Sequence, residues 1–135
     1  RYAPGDVFRL LSGACACGDP SPRLVFVGQK GAIRKIKGVL VHPAQVHRAL
    51  TEVPGAGRFQ IEVDHPEGAR YDRAVLRVGL TAEPDDRTAF ARLVAEKVKA
   101  VALISMDVEL VAESAIPESA AAPRFAEAML DRRTK

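Results

Sequence analysis

Apolar and polar positions change period several times along this 135-residue chain, and each change marks an element. Val7 to Leu11 and Arg23 to Val27 are short β-type runs around SGACACGDPSP, which reads as a loop because glycine, proline and serine favour turns. Residues 33–41 predict a strand ending in Val39-Leu40-Val41. Pro43 then suits the first turn of a helix, where its missing N–H leaves nothing unpaired. Val46, Ala49, Leu50 and Val53 recur at i, i+3, i+4 and i+7, one apolar helix face, and Pro54-Gly55 stops it. Phe59, Ile61 and Val63 alternate with Gln60, Glu62 and Asp64, as do Ala74, Leu76, Val78 and Leu80 with their neighbours. This period of two predicts half-buried strands, paired antiparallel through a long hairpin loop. Glu83-Pro84-Asp85-Asp86 starts a long helix, since acids favour the positive end of the helix dipole. Phe90, Leu93, Val94, Val98 and Val101 continue it to near Ile104, and Asp107 to Ala112 is the last strand. Residues 118–123, ESAAAP, read as a loop, and Phe125, Met129 and Arg132 give 124–133 the spacing of a terminal helix.

From residue 33 to 112 the order is β-α-β-β-α-β. The expected fold is α+β, a ferredoxin-like sandwich with two helices on a four-stranded antiparallel sheet, preceded by a short β segment. Residues 28–32 mark the boundary between two units. The two short strands upstream bury little by themselves and need a larger partner body. The chain opens at Arg1 inside an apparent motif and is expected to be part of a longer protein.

Composition narrows the classes. A chain of this length normally makes one core, and with no tryptophan and few aromatics that core is aliphatic. No apolar run approaches the roughly 20 residues that span a bilayer. The net charge of +3 comes from basic residues mixed with acids, not from a stripe with stacking aromatics, so nucleic acid is not the expected partner. Cys15 and Cys17 are one residue apart, awkward spacing for a mutual disulfide. They are either free thiols in a tight loop, as in a reducing cytoplasm, or half of a structural zinc site completed elsewhere. His42, at a strand-to-helix turn, reads as a cap or surface residue. His47 is expected to face solvent on its helix. Asp6, after a Pro-Gly turn in RYAPGD, is a carboxylate that could accept two hydrogen bonds from a vicinal diol such as a ribose.

The order RYAPGD, CACG, GQKGAIRKIKGVLVHPAQVHRAL and an alternating strand pair resembles the C-terminal part of phenylacetate–CoA ligase-like, AMP-forming acyl-adenylating enzymes. Their pattern runs RYRTGD(L/V), CPCG, GR-x-D-D and roughly (I/L)IRGVNVFPSQIEEVL. The resemblance covers nearly the whole chain. It implies a carboxylic acid–CoA ligase with a two-step reaction. A carboxylate, such as that of an aryl acid, attacks the α-phosphate of magnesium-bound ATP to give an acyl-adenylate. Coenzyme A then displaces AMP. Residues 1–29 would be the tail of an N-terminal adenylating domain, and 30–135 a lid that rotates between the steps and works only together with that domain. By the same resemblance Asp6 matches the ribose-binding acid. Gln29 stands where an arginine helps hold the nucleotide. Lys30 and Gly31 fall at the hinge. Lys37-Gly38-Val39 matches the turn that faces the active site in the thioester-forming pose, with Leu40 in place of an asparagine. The family's catalytic lysine lies in a segment like LPRSEGKAKRV. IPESAAAPRF aligns with it and places Ala122 at the lysine, with Arg124 two residues on as a substitute. Two other readings stay open: a divergent, adenylation-impaired homologue, and a stand-alone small-molecule-binding regulatory module. The latter leaves RYAPGD and CACG unexplained. The apolar surface of residues 1–27 also makes a homodimer an expectation.

Overall fold

A computed structural model describes residues 6–13, 15–29, 33–122 and 124–133. Two strands, β1 (Asp6–Leu11) and β2 (Arg23–Gln29), form an antiparallel ribbon from Leu11 opposite Arg23 to Asp6 opposite Gln29. Phe8 and Phe26 meet edge to face at 5.5 Å. Phe8, Leu10 and Leu24 remain 51–65% exposed, so the ribbon carries apolar surface left uncovered among the described residues.

The run from 33 to 41 is not one strand. Lys37 and Gly38 both adopt positive φ, 49° and 86°, and fold β3 (Arg34–Ile36) back on β4 (Val39–Val41). Two successive residues at positive φ make the primed turn that suits a two-residue hairpin loop, and glycine supplies the second at little cost. His42 then caps α1 (Pro43–Thr51). Its Nδ1 accepts the Ala44 amide at 3.0 Å while Gln45 Oε1 accepts the His42 amide at 3.3 Å. This reciprocal cap satisfies donors that every helix start leaves open.

The main sheet has four strands in the order β7-β6-β5-β8. β5 (Ala56–Asp64) and β6 (Arg73–Leu80) are antiparallel, with Phe59, Ile61 and Val63 opposite Val78, Leu76 and Ala74. These six side chains are at most 2% exposed and form the sheet's share of the core. Val46 and Leu50 of α1, and Val94 and Val98 of α2 (Arg87–Ala102), pack in the same core. Asp86 Oδ1 accepts the Thr88 and Ala89 amides and starts α2, and Leu103 ends it in the left-handed conformation at φ 60°.

The sheet is mixed, not antiparallel as expected. β7 (Asp107–Ala112) returns parallel to β6, and β8 (Met129–Asp131) lies parallel to β5. The expected first strand is absent from it, because the three-residue arms of β3 and β4 pair with each other. Its place is taken by the tail read as a helix over 124–133. Phe125 sits at φ 53°, which no right-handed helix contains, and Ile61 N–H donates to the Ala128 carbonyl at 2.8 Å. The buried positions Phe125, Ala128 and Met129 have helical spacing, yet a turn followed by a strand satisfies the same spacing.

Two glycines fix how the chain leaves β7. Gly57 and Gly79 lie under the carboxylate of Glu113, which accepts Arg58 N–H at 3.1 Å and Arg58 Nε–H at 2.8 Å. Glycine inside a strand often marks such a close approach. A Cβ on Gly79 would meet Glu113 Cα at 3.0 Å and the Arg58 carbonyl at 3.2 Å, both backbone atoms that cannot swing away. Gly79→Ala is therefore expected to lower stability by about 1–3 kcal/mol, read as a lower urea midpoint. An unchanged midpoint would contradict this packing.

Candidate functional site

Two groups of the residues singled out by sequence, the Lys37-Gly38-Val39 turn and the segment around Ala122, fall at opposite ends of the main sheet. At one end lies the β3–β4 turn. Lys37 Nζ donates to the Ser105 carbonyl at 3.2 Å, just ahead of Asp107, which pairs with Val75 near the start of β6. The backbone conformation of Lys37-Gly38-Val39 is set by the turn itself, and Leu40 stands out at 67% exposure. Behind the turn is an ionic cluster. Arg133 Nη1–H donates to the Lys35 carbonyl at 2.8 Å and to Asp72 Oδ2 at 2.9 Å, while its other nitrogens reach Asp131. His65 Nδ1 meets Asp72 Oδ1 at 3.0 Å, and Arg34 Nε lies 3.6 Å from Asp131.

Arg133 holds Asp131 down from its ordinary 3.8 to about 2, first through their hydrogen bond. Asp72 is lowered as well, chiefly by its hydrogen bond to His65 and then by Arg133. A depressed carboxyl contributes stability that is present above its unfolded value and lost as pH falls through the folded one. The urea midpoint is thus expected to drop between about pH 4 and pH 2, and Asp131→Asn to remove part of that drop. An equally steep drop in the variant would contradict the assignment.

At the other end, the 120–122 segment lies beside the first half of β5, which pairs with the end of β6. His47, Leu50, Arg58, Phe59, Ala120 and Ala122 line a cavity of about 190 Å³ there. His47 does not stand in solvent as expected. It is half-buried, with its ring 5.5 Å from that of Phe125, which in turn lies 6.1 Å from the Phe59 ring. Arg124 is exposed. Sequence reasoning missed the Arg58–Glu113 and Arg133–Asp72 pairs, whose members lie 55 and 61 residues apart.

The remaining candidates lie in the ribbon. Asp6 opens β1 and pairs in register with Gln29 at the end of β2, so the backbone brings the expected ribose acid and nucleotide position side by side. The hinge residues Lys30 and Gly31 lie outside the described residues. Cys17 Sγ donates to Cys15 Sγ at 2.9 Å, and that bond lowers the Cys17 thiol below its ordinary value. Both are free thiols. Among the described residues no group of three or more His, Cys, Asp or Glu side chains could hold a metal. Also among the described residues, no helix is long and apolar enough to cross a membrane.

Comparison with known proteins bears on these two ends together. No curated protein matches the sequence. Among solved structures, a domain of phenylacetate-coenzyme A ligase from Bacteroides vulgatus ATCC 8482 shares 25% identity, over 76% of this chain and 94% of that one, with a TM-score of 0.64. A 2-hydroxyisobutyryl-CoA ligase in the postadenylation state with 2-HIB-AMP shares 26% identity over 94% of this chain, with a TM-score of 0.69. The same ligase in the thioesterification state with 2-HIB-AMP and CoA shares 25% identity over 96%, with a TM-score of 0.63. This chain spans little more than a quarter of that ligase, 27% and 28% in the two states. The AMP-binding enzyme C-terminal domain family matches residues 38–133, from the turn glycine to Arg133, and so takes in both ends of the sheet. With that span of matched sequence, the chain belongs to the AMP-binding enzyme C-terminal domain family.

Proposed function

We propose that this chain is the lid of an AMP-forming acid–CoA ligase, with residues 1–29 closing the adenylating domain that precedes it. The observation that carries the reading is that the two segments matching the family's working motifs sit at opposite ends of one sheet. A rigid plate with a working group at each end can serve two half-reactions by turning on a single hinge, here Lys30-Gly31. In the first half-reaction a carboxylate oxygen attacks the α-phosphorus of ATP and pyrophosphate leaves. In the second the coenzyme A sulfur attacks the acyl carbon and AMP leaves. Asp6 would accept the ribose hydroxyls, with Gln29 paired beside it. Lys37-Gly38-Val39 would face the site in the second step. Magnesium would travel with ATP. Cys15 and Cys17 would give two of four zinc ligands, the rest coming from outside this chain.

The substrate in this reading is an aryl carboxylic acid of the phenylacetate kind, and the setting is the cytoplasm. The uncovered apolar ribbon would bury against the adenylating domain, or between two copies in a homodimer. A second reading is favoured by Ala122. A methyl group cannot stabilise charge on the α-phosphate, so the protein would be slow to adenylate yet competent in thioester formation. Pyrophosphate release by the full-length protein, with ATP, magnesium and a panel of aryl and short acids, separates the two. Release comparable to thioester formation supports the first. Thioester only from a preformed acyl-adenylate supports the second. Neither reaction with any acid would overturn both.

A further inference from the structure

The β3–β4 hairpin has three residue pairs, and a hairpin of that size is marginal in water without support. Ile36 and Val41 are buried in the core, and Val39 packs partly buried against it. Its tip is tied from two remote places. Lys37 Nζ reaches the Ser105 carbonyl at 3.2 Å, and Arg133, 98 residues from Lys35, donates to the Lys35 carbonyl at 2.8 Å. Arg133 is itself fixed. Asp131 and Asp72 hold its other donors, with side-chain exposures of only 19–25% across the three residues. His65 braces Asp72 from the far side. A guanidinium presents several donors in a rigid plane and can span a carbonyl and two carboxylates at once, which an ammonium cannot.

We propose that Arg133, clamped by Asp72 and Asp131, is a positioning residue for the thioester-forming turn: it fixes where Lys37-Gly38-Val39 stands when the lid presents that end. This rests on the lid reading above. Arg133 touches no substrate. It lies at the turn's end of the sheet, away from the cavity beside Ala122, so its removal affects one half-reaction and spares the other.

The test uses the full-length protein and follows the half-reactions separately: pyrophosphate release from acid and ATP, and thioester formation from synthetic acyl-adenylate and coenzyme A. Arg133→Gln and Asp72→Asn are each expected to slow thioester formation roughly ten- to a hundredfold, since about 1 Å of misplacement costs on that order. Pyrophosphate release should stay within about twofold. The double variant should be no slower than the worse single variant, because both act through one clamp. Arg133→Lys should recover only part of the loss. Arg132, the preceding residue, paired with Glu62 of β5 at 3.4 Å, is the control, and Arg132→Gln should change neither rate. Equal loss in both half-reactions, tracking a fall in melting temperature, would mean a merely structural role and overturn the proposal. So would additive effects, or no effect in Arg133→Gln. Should the unaltered protein form no thioester from any adenylate, the lid reading fails and this inference with it. Thioester formation that ignores Arg133 sinks this inference alone.

Discussion

In the full-length protein, Ala122→Lys is expected to raise pyrophosphate release by on the order of 10²-fold, the size of effect seen when a single charge-stabilising group is lost or regained. Ala122 is exposed and lines the cavity together with His47, Arg58 and Phe59. A lysine there has room for its four-carbon stem. The cation already lining that cavity cannot serve instead. Arg58 is locked to Glu113 through Nε–H at 2.8 Å and through its Nη2–H to the Glu113 carbonyl at 3.1 Å, so its charge is neutralised in place. Arg124 is exposed two residues on, and Arg124→Ala is expected to leave the rate unchanged. Pyrophosphate release with a saturating acid reads the effect. No gain from Ala122→Lys would mean that residues 120–124 do not stand where the family's lysine acts.

Phe125→Ala is expected to lower stability by about 3–5 kcal/mol, the usual cost of emptying a buried aromatic site. Phe125 is 3% exposed and fills the space between the His47 and Phe59 rings. It also holds φ at 53°, a conformation that costs a residue with a Cβ about 1–2 kcal/mol and persists only because burial of the ring outweighs it. Together with Ile116 and Ala120, also buried, the ring holds the 120–122 segment beside the sheet. Phe125→Leu keeps most of the volume and should cost less than about 1.5 kcal/mol. Urea unfolding of the two variants checks the difference. A small loss in Phe125→Ala would show that the segment is held elsewhere.

Elements whose signal is local could be read in the sequence. The alternation of Phe59, Ile61 and Val63 fixes β5 because a one-residue slip would turn all three into solvent. Pro43 and the Val46, Ala49, Leu50, Val53 stripe fix α1, and α2 starts at the acidic run where it was expected, with Asp86 as its cap. What escaped is non-local. Nothing in residues 107–112 says whether they return parallel or antiparallel, since both bury alternate residues. Residues 129–131 are too short for a period, and the apolar spacing before them imitates a helix. A signal for the Glu113 seat was present in Gly57 and Gly79, glycines placed inside two strongly alternating strands. The motif residues were legible for another reason: Asp6 and the Lys37-Gly38 turn resemble family patterns. The side chains that hold the turn, Arg133 and Asp72, carry no such pattern and become visible only when β8 lies beside β5.

A lid that works from two ends must fail in one half-reaction when it is removed. The most direct measurement gives the full-length protein a synthetic aryl acyl-adenylate with coenzyme A, without ATP, and follows thioester and AMP. Equal amounts of both, lost in a protein truncated at residue 29, are what a lid presenting the Lys37-Gly38-Val39 turn predicts. Thioester formed equally well by the truncated protein, or none formed although the adenylate binds, would contradict it.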